Sequence, residues 1–162
     1  MPVDITPRGT RGANIPKLPR PLSKAASALT AGFMRLRGAR PTPFRGIHLL
    51  LLTTVGARSG QQHTVPLGWV PDGDNAWLIV ASNSGAAAHP AWYYNMAKNP
   101  DKVWIEIGKR KLRVHPETLK GPELEEAWRR ITSVAPFYGD YRQKTDREIP
   151  VVRLTPDPPS PS

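Results

Sequence analysis

The residues best suited to chemistry in this 162-residue chain lie in one glycine-bracketed turn. Residues 49–67 join an apolar run to an alternating one, and Gly56, Arg58, Ser59 and Gly60 lie between the two. Glycine lets a backbone approach an anion closely, while a guanidinium and a hydroxyl supply hydrogen bonds to it. The turn is therefore a candidate site for a phosphorylated ligand. The alternative is an ordinary hairpin turn, which uses the same residue types for backbone geometry and solvation.

Cysteine and histidine usage excludes several other kinds of site. The chain has no cysteine, which removes disulfides, thiolate metal sites and thiol catalysis, and fits a reducing compartment. The four histidines are scattered, and no pair has metal-ligand spacing beside a carboxylate. We therefore predict no metal site.

Positive charge is concentrated towards the N-terminus. The net charge is +10, and residues 1–45 hold nine of the basic residues against one Asp. Such a segment stays solvated, contacts an anionic membrane surface or binds nucleic acid, in that order of preference. Because aromatic residues suited to base stacking are not interleaved with the charges, we predict no nucleic-acid partner. The sequence has no apolar stretch typical of a signal peptide or membrane span, so we predict a cytoplasmic protein.

Hydrophobic periodicity predicts the elements that position the turn. Residues 1–20 are expected to be a disordered basic arm, residues 21–155 one domain, and residues 156–162 a disordered Pro-rich tail. Helices are predicted at 23–37, 89–98 and 123–134, and strands at 46–54, 61–70, 76–82, 102–107, 109–116 and 149–154. This order favours an α+β fold in which helices flank a small, mainly antiparallel barrel. The first helix either packs on its own domain or, with residues 1–40, makes a peripheral membrane contact.

Three sequence blocks are similar to the deazaflavin-dependent nitroreductase family, in its A-type branch of split β-barrel oxidoreductases. The blocks are residues 51–60 with 65–67, residues 81–85 with 89–96 and 99–100, and residues 138–141 with 145–152. They stand in the family's order and extend from residue 49 to residue 156.

The resemblance implies a split β-barrel that binds coenzyme F420, an 8-hydroxy-5-deazaflavin with a phosphate and a polyglutamate tail. It implies an oxidoreductase that passes a hydride from the reduced coenzyme to an electron-poor quinone, nitroaromatic or enone. Two alternatives stay open: a non-catalytic protein that binds a cofactor or lipophilic ligand in the same barrel, and an FMN-binding relative.

The resemblance also implies the site residues. Ser82 and Tyr138 would be catalytic, through hydrogen bonds to the acceptor oxygen, and Tyr141 would join them in binding the substrate. As structural alternatives, Ser82 would cap a strand and Tyr138 would be a helix aromatic, while Trp92 would be a core residue. The coenzyme would contact Thr54, Arg58, Ser59, Gly60, Gln61, His63, Pro66, Ala81, Ser82, Asn83 and Trp92.

The chain departs from the family at three usually basic positions. These are Ala57, His63 and Asn83. Loss of fixed cations predicts coenzyme affinity lower by roughly one to two powers of ten, since each ionic contact contributes on the order of 1 kcal/mol. His63 would compensate in part when it is protonated.

Overall fold

The strands of the chain close into one antiparallel barrel. The computed structural model describes residues 3–13 and 47–157. Within these ranges the strand order is β1-β2-β3-β6-β5-β4. The strands are β1 (His48–Val55), β2 (Gln62–Pro71), β3 (Trp77–Val80), β4 (Val103–Ile107), β5 (Arg110–Thr118) and β6 (Val151–Pro156). The flanking helices are α1 (Ala91–Lys98), α2 (Gly121–Val134) and α3 (Phe137–Lys144). The predicted split-barrel fold, mainly antiparallel with flanking helices, is confirmed.

Alternating apolar residues fill the barrel interior. Leu50 of β1 is fully buried, as are Val103 and Ile105 of β4, and Ile107 packs against the same cluster. Successive strand residues point to opposite faces, so residues 103, 105 and 107 share the inner face, as their alternation predicts. Met96 of α1 belongs to this cluster and joins the helix to the barrel.

A second core lies between the barrel and its C-terminal helices. Leu124, Trp128 and Ile131 recur at helical spacing on α2 and are buried with Leu78 and Val80 of β3. One apolar stripe of this width is typical of a helix that packs by a single face. The burial fixes α2, and the turn after it leads directly into α3.

The barrel wall opens between β2 and β3. Strand β2 pairs with β1 through eight residues, from Gln62 to Trp69. It pairs with β3 at only two positions, Val70 with Leu78 and Pro71 with Trp77. Residues 62–69 of β2 therefore have one edge without a strand partner in the described part of the chain. Residues 63–69 are all partly exposed, on both faces of the strand. We call this unpaired length of β2 the open edge.

The N-terminal segment differs from its sequence-based expectation. Residues 3–13, which we call the N-terminal strap, lie against the barrel instead of forming a disordered arm. Val3 is buried in the barrel core. The Gly9 N–H donates to the Ala87 carbonyl and the Ala13 N–H to the Gly85 carbonyl, both at 2.9 Å. The segment has no apolar run of its own, but its backbone pairs with a loop whose carbonyls need donors.

The predicted helix at 23–37 and the predicted tail at 156–162 lie wholly or partly outside the described residues. The predicted helix at 23–37 lies outside the described residues, as do residues 158–162 of the predicted tail. Pro156, where the tail was expected to begin, is the last residue of β6 and pairs with Val114. Asp157 continues this pairing, because its N–H donates to the Arg113 carbonyl at 3.0 Å. Among the described helices, none has the length and apolar character needed to cross a bilayer.

Candidate functional site

The turn between β1 and β2 is held by its own backbone. The Gly56 N–H donates to the Gln61 carbonyl at 2.8 Å, and the Gly60 N–H donates to the Gly56 carbonyl at 3.0 Å. The Ser59 hydroxyl accepts the Gln61 N–H at 3.2 Å. The backbone amides of Gly60 and Gln61 therefore donate within the turn, so Gln61 could contact a ligand only through its side chain. Residues 57–60 are exposed.

A buried asparagine of α1 fixes this turn to the barrel. The Asn95 side-chain oxygen accepts the Ala57 N–H at 3.0 Å, and its amide nitrogen donates to the Thr54 hydroxyl at 3.3 Å. Thr54 is 1% exposed, so its hydroxyl supports the turn from within. One turn later, the Asn99 side chain donates to the Val55 carbonyl at 3.3 Å. Sequence reasoning missed Asn95, because nothing in the local pattern links it to a turn 38 residues earlier.

Three polar side chains gather on the exposed side of the turn. The Ser59 hydroxyl lies 3.4 Å from Nε2 of His63. A Cβ on Gly56 would stand 2.3 Å from that hydroxyl and 3.0 Å from the same imidazole nitrogen, so the site requires glycine there. Arg58 is exposed and forms no ion pair with any described residue. A guanidinium, a hydroxyl and an imidazole around one turn are donors suited to a phosphate.

A second polar group follows the end of β3. Ser82 is 8% exposed and Ala81 is fully buried. The next residues form a single 3₁₀ turn (Asn83–Gly85) in which all three have positive φ, at 45°, 54° and 81°. The Asn83 side chain donates to the Ala88 carbonyl at 3.0 Å, so its amide closes this loop. Asparagine and glycine adopt such backbone angles more easily than other residues, which explains their use here.

One buried arginine ties this loop together. The Arg147 guanidinium donates to the Ala81 carbonyl at 3.1 Å and to the Ser82 carbonyl at 2.7 Å. It also donates to the Ala86 carbonyl at 2.8 Å and to Nδ1 of His89 at 3.1 Å. Burial lowers the pKa of His89, and the nearby Arg147 charge adds to this effect. A neutral imidazole is the state that accepts at Nδ1.

Two tyrosines of α3 border the same loop. The Tyr138 ring is 8% exposed, and its hydroxyl lies 2.9 Å from where a Cβ on Gly68 would stand. This places the phenol beside the open edge of β2. Burial raises the pKa of Tyr138 to about 12. The Tyr141 ring stands edge-on to it, with 5.9 Å between ring centroids. The structure thus brings Tyr138, Tyr141 and the loop after Ser82 to one region.

The sequence of this chain matches a known protein family. The family model described as F420H(2)-dependent quinone reductase matches residues 27–156. The chain belongs to the F420H2-dependent quinone reductase family. This confirms the predicted resemblance to deazaflavin-dependent reductases. Membership implies coenzyme F420 as the cofactor and an oxidoreductase of the quinone reductase type, as the resemblance did.

Curated relatives and solved structures are similar to this chain. An F420H(2)-dependent quinone reductase of Mycobacterium tuberculosis is 38% identical over 124 residues, which cover 75% of this chain and 77% of the relative. A solved F420-H2 dependent reductase (FDR-A) is 37% identical, with a TM-score of 0.59, and the match covers 65% of this chain and 92% of that one. A further structure, described as a domain-swapped dimer, is 31% identical with a TM-score of 0.62, covering 82% of this chain and 98% of that one.

The residues at the turn fit the phosphate of coenzyme F420, and two lysines lie on elements that adjoin it. Strand β1 pairs with the start of β4 at Thr54 and Val103, which brings Lys102 beside the end of β1. Lys98 ends α1, whose Asn95 holds the turn. Both lysines are exposed. Lys98 and Lys102 are therefore further candidate cations for the phosphate, and the lower coenzyme affinity expected from Ala57, His63 and Asn83 stays a prediction.

The open edge of β2 connects the two halves of the site in this family member. Gln62, at the turn, and Gly68, beside Tyr138, are six positions apart, which is roughly 20 Å of strand. Pro66 lies on this length and is partly exposed. Trp92 is 8% exposed in the barrel core, with its ring edge-on to Tyr93. Its contacts with the core favour packing, the structural alternative for this residue, and its contact with the coenzyme stays a prediction.

Proposed function

We propose that this protein oxidises reduced coenzyme F420 and reduces a quinone, with the turn at residues 56–61 as the phosphate grip. The observation that carries the proposal is the donor set of Arg58, Ser59 and His63 on that turn, in a chain of the F420H2-dependent quinone reductase family. Nitroaromatics and enones, which are also electron-poor, are further acceptors by the same chemistry. When bound, the reduced coenzyme supplies the hydride.

Two residues serve the acceptor in this proposal. Ser82 and Tyr138 donate hydrogen bonds to the acceptor oxygen as negative charge develops on it, and Tyr141 packs against the substrate. The raised pKa of Tyr138, about 12, keeps its phenol protonated and able to donate at neutral pH. Coenzyme contacts at Ala81 and Asn83 belong to the same proposal. Thr54 contributes indirectly, through the hydrogen bond from Asn95.

Coenzyme titration and turnover test the proposal together. The purified chain is expected to bind the coenzyme and to oxidise its reduced form with menadione. Arg58→Ala should weaken coenzyme binding about ten-fold, since a charge-assisted hydrogen bond at an exposed site contributes about 1.4 kcal/mol. Arg110→Ala, which removes an exposed arginine at the start of β5, is the matched control and should leave the affinity unchanged.

Three results would contradict the proposal in different ways. Binding without oxidation by any acceptor would indicate the non-catalytic ligand-binding alternative. A flavin absorbance spectrum of the protein as purified would indicate the FMN-binding alternative. Equal affinity of Arg58→Ala and Arg110→Ala for the coenzyme would remove the turn from the site.

A peripheral membrane contact through residues 1–40 stays a prediction, as does a cytoplasmic location. Quinones partition into lipid, which favours such a contact, and the basic residues of this segment suit an anionic surface. Flotation with anionic liposomes tests the contact. Recovery of the full chain should exceed that of a variant in which Arg35, Arg37 and Arg40 are replaced by Gln, and equal recovery would exclude it.

A further inference from the structure

Arg147 is a buried cation that none of the described carboxylates neutralises. Its side chain is 6% exposed, and its ion-pair partners do not include a described Asp or Glu. A buried charge is costly unless hydrogen bonds compensate it. Here the compensation comes from three backbone carbonyls, those of Ala81, Ser82 and Ala86, and from one imidazole nitrogen. Such an arrangement orients backbone groups that no strand holds.

The carbonyls that Arg147 binds lie just beyond the end of β3. Pairing between β3 and β6 ends at Val80 with Val151. The Ala81 N–H still reaches the Pro150 carbonyl at 2.9 Å, but Ser82 is past the ladder. Its carbonyl receives two donors, the Arg147 guanidinium at 2.7 Å and the Gly85 N–H at 2.8 Å. The direction in which the chain leaves β3 therefore depends on Arg147.

The His89 imidazole also holds the Arg147 guanidinium in place. His89 is 3% exposed and accepts from Arg147 through Nδ1, at 3.1 Å. Its Nε2 is then the protonated nitrogen and donates to the Thr6 carbonyl of the N-terminal strap at 2.8 Å. A chain of hydrogen bonds thus runs from the strap through His89 and Arg147 to Ser82. Each member has one neighbour that fixes its orientation.

We propose that Arg147 is a positioning residue that sets the placement of Ser82 at the acceptor end of the site, through its hydrogen bonds to the Ala81 and Ser82 carbonyls. The expected effect on the kinetics of acceptor reduction rests on the proposed function. The expected effect on the placement of Ser82 rests on the hydrogen bonds alone. The Arg147 guanidinium is engaged by three carbonyls and the His89 imidazole, so it is not a substrate ligand in this proposal. It acts on the reaction only through the backbone it holds.

Kinetics of two arginine variants test the consequence for the reaction. Arg147→Lys retains the charge but has a single nitrogen, which cannot reach all four acceptors that the three guanidinium nitrogens bind. Arg153→Met removes a partly buried arginine of β6 that pairs with Asp72, Glu117 and Glu123. A displacement of about 1 Å at a reacting group can cost on the order of 100-fold. Arg147→Lys should lower kcat/KM for menadione about 10- to 100-fold and raise the coenzyme Kd by a smaller factor, because the loop with Ala81 and Asn83 moves while the phosphate turn at residues 56–61 does not. Arg153→Met should change neither.

Hydrogen exchange supplies a readout that needs no turnover. In folded Arg147→Lys, the Gly85 and Ala86 amides, which donate to the Ser82 and Asn83 carbonyls, should exchange faster than in the wild type. The Gly60 amide, in the phosphate turn, should not change. His89→Gln keeps an acceptor for Arg147 and a donor for Thr6. The Gly85 and Ala86 amides of this variant should therefore exchange at the wild-type rate.

The outcomes separate the two proposals. If the wild type does not oxidise the reduced coenzyme, the proposed function fails, and the exchange data still decide the role of Arg147. If the wild type is active but Arg147→Lys lowers acceptor kinetics and coenzyme affinity in equal proportion, the positioning role is overturned. Unchanged exchange at Gly85 and Ala86 overturns it as well.

Discussion

At the scale of single residues, the protonation state of Tyr138 decides what it can do in the site. Burial raises its pKa from 10 to about 12, with a smaller contribution from Tyr141. The phenol therefore stays a hydrogen-bond donor throughout the neutral and mildly alkaline range. Because the pKa of Tyr138 is higher in the folded chain than its ordinary value, proton binding to Tyr138 contributes to the free energy of unfolding. This contribution is complete below pH 10 and is lost as the pH rises through about 12.

Replacing the Tyr138 hydroxyl tests this role directly. Tyr138→Phe should lower kcat/KM for a quinone about 10- to 100-fold, because removal of one donor to a developing oxyanion costs on the order of 100-fold. The rate of the wild type should show no loss with a midpoint near pH 10. Tyr94→Phe on α1 is the control and should retain wild-type kinetics. The role of Tyr138 as a buried donor is contradicted if the rate of the wild type falls near pH 10 and the rate of Tyr138→Phe does not.

Some site residues could be predicted from the sequence and others could not. Arg58 and Ser59 are neighbours in a glycine-bracketed turn, so local pattern and family resemblance both point to them. Arg147 and Asn95 act on backbone groups that are distant along the chain, and no local pattern reports such a partner. The sequence could not decide the role of Trp92 for a related reason, since an aromatic residue on a short helix has the same local pattern whether it faces the core or a ligand.

At the scale of elements, the β1–β2 turn depends on the missing side chain of Gly56. A Cβ there would stand 2.3 Å from the Ser59 hydroxyl, and that hydroxyl accepts the Gln61 N–H. Ser59 would have to rotate away, which breaks this hydrogen bond and its approach to His63. The turn would then lose two of its three side-chain donors for a phosphate.

Gly56→Ala should therefore weaken coenzyme binding at least about ten-fold, since loss of a hydrogen bond to a charged group costs about 1.5–3 kcal/mol. Fluorescence titration of the coenzyme measures it. Gly73→Ala is the control: φ is 72° at Gly73 and no atom lies within 4 Å of the added Cβ. It should cost about 1 kcal/mol of unfolding free energy through backbone strain and leave coenzyme affinity unchanged. Equal coenzyme affinities in the two variants would contradict the steric argument.

The elements themselves were the most predictable part of the fold. Strands β1, β4 and β5 begin or end within about two residues of the expected bounds, because the continuous apolar run of β1 and the alternation in β4 and β5 extend through most of each element. The aromatic stretch from residue 137 was not among the predicted helices, since Pro136 precedes it and Gly139 lies within it, although a helix was the structural alternative for Tyr138. Packing on α2 and the 3₁₀ turn makes it α3. Tertiary contacts override local propensity there.

At the scale of the whole molecule, the N-terminal strap joins parts of the barrel that are far apart in sequence. Tyr93 of α1 donates to the Asp4 carbonyl, and the Asp4 N–H donates to the Thr118 hydroxyl at the end of β5. At the other end, Thr145 donates to the Arg11 carbonyl at 2.7 Å. Composition could not reveal this role, because a Pro- and Gly-rich segment gains its order only from partners supplied by the folded barrel.

Asp146 is the acidic group that holds the far end of the strap. Its carboxylate accepts the Thr10 and Arg11 N–H groups, both at 2.8 Å, and the Thr10 hydroxyl. These hydrogen bonds lower the pKa of Asp146 from 3.8 to about 2. The contribution of the carboxylate to the folded state is therefore complete above pH 3.8 and is lost as the pH falls through about 2.

Asp146→Asn should release the end of the strap without unfolding the barrel, because the amide keeps one acceptor but loses the charge that strengthens all three hydrogen bonds. At neutral pH, trypsin should then cleave after Arg8 and Arg11 faster than in the wild type, as followed by mass spectrometry of the released N-terminal peptides. Asp140→Asn, on an exposed position of α3, is the matched control and should be cleaved at the wild-type rate. In the wild type, an NMR titration of the Asp146 carboxyl carbon should have its midpoint near pH 2. A midpoint near 3.8, or equal cleavage of both variants, would mean that the strap is held by its remaining contacts and that Asp146 adds nothing to them.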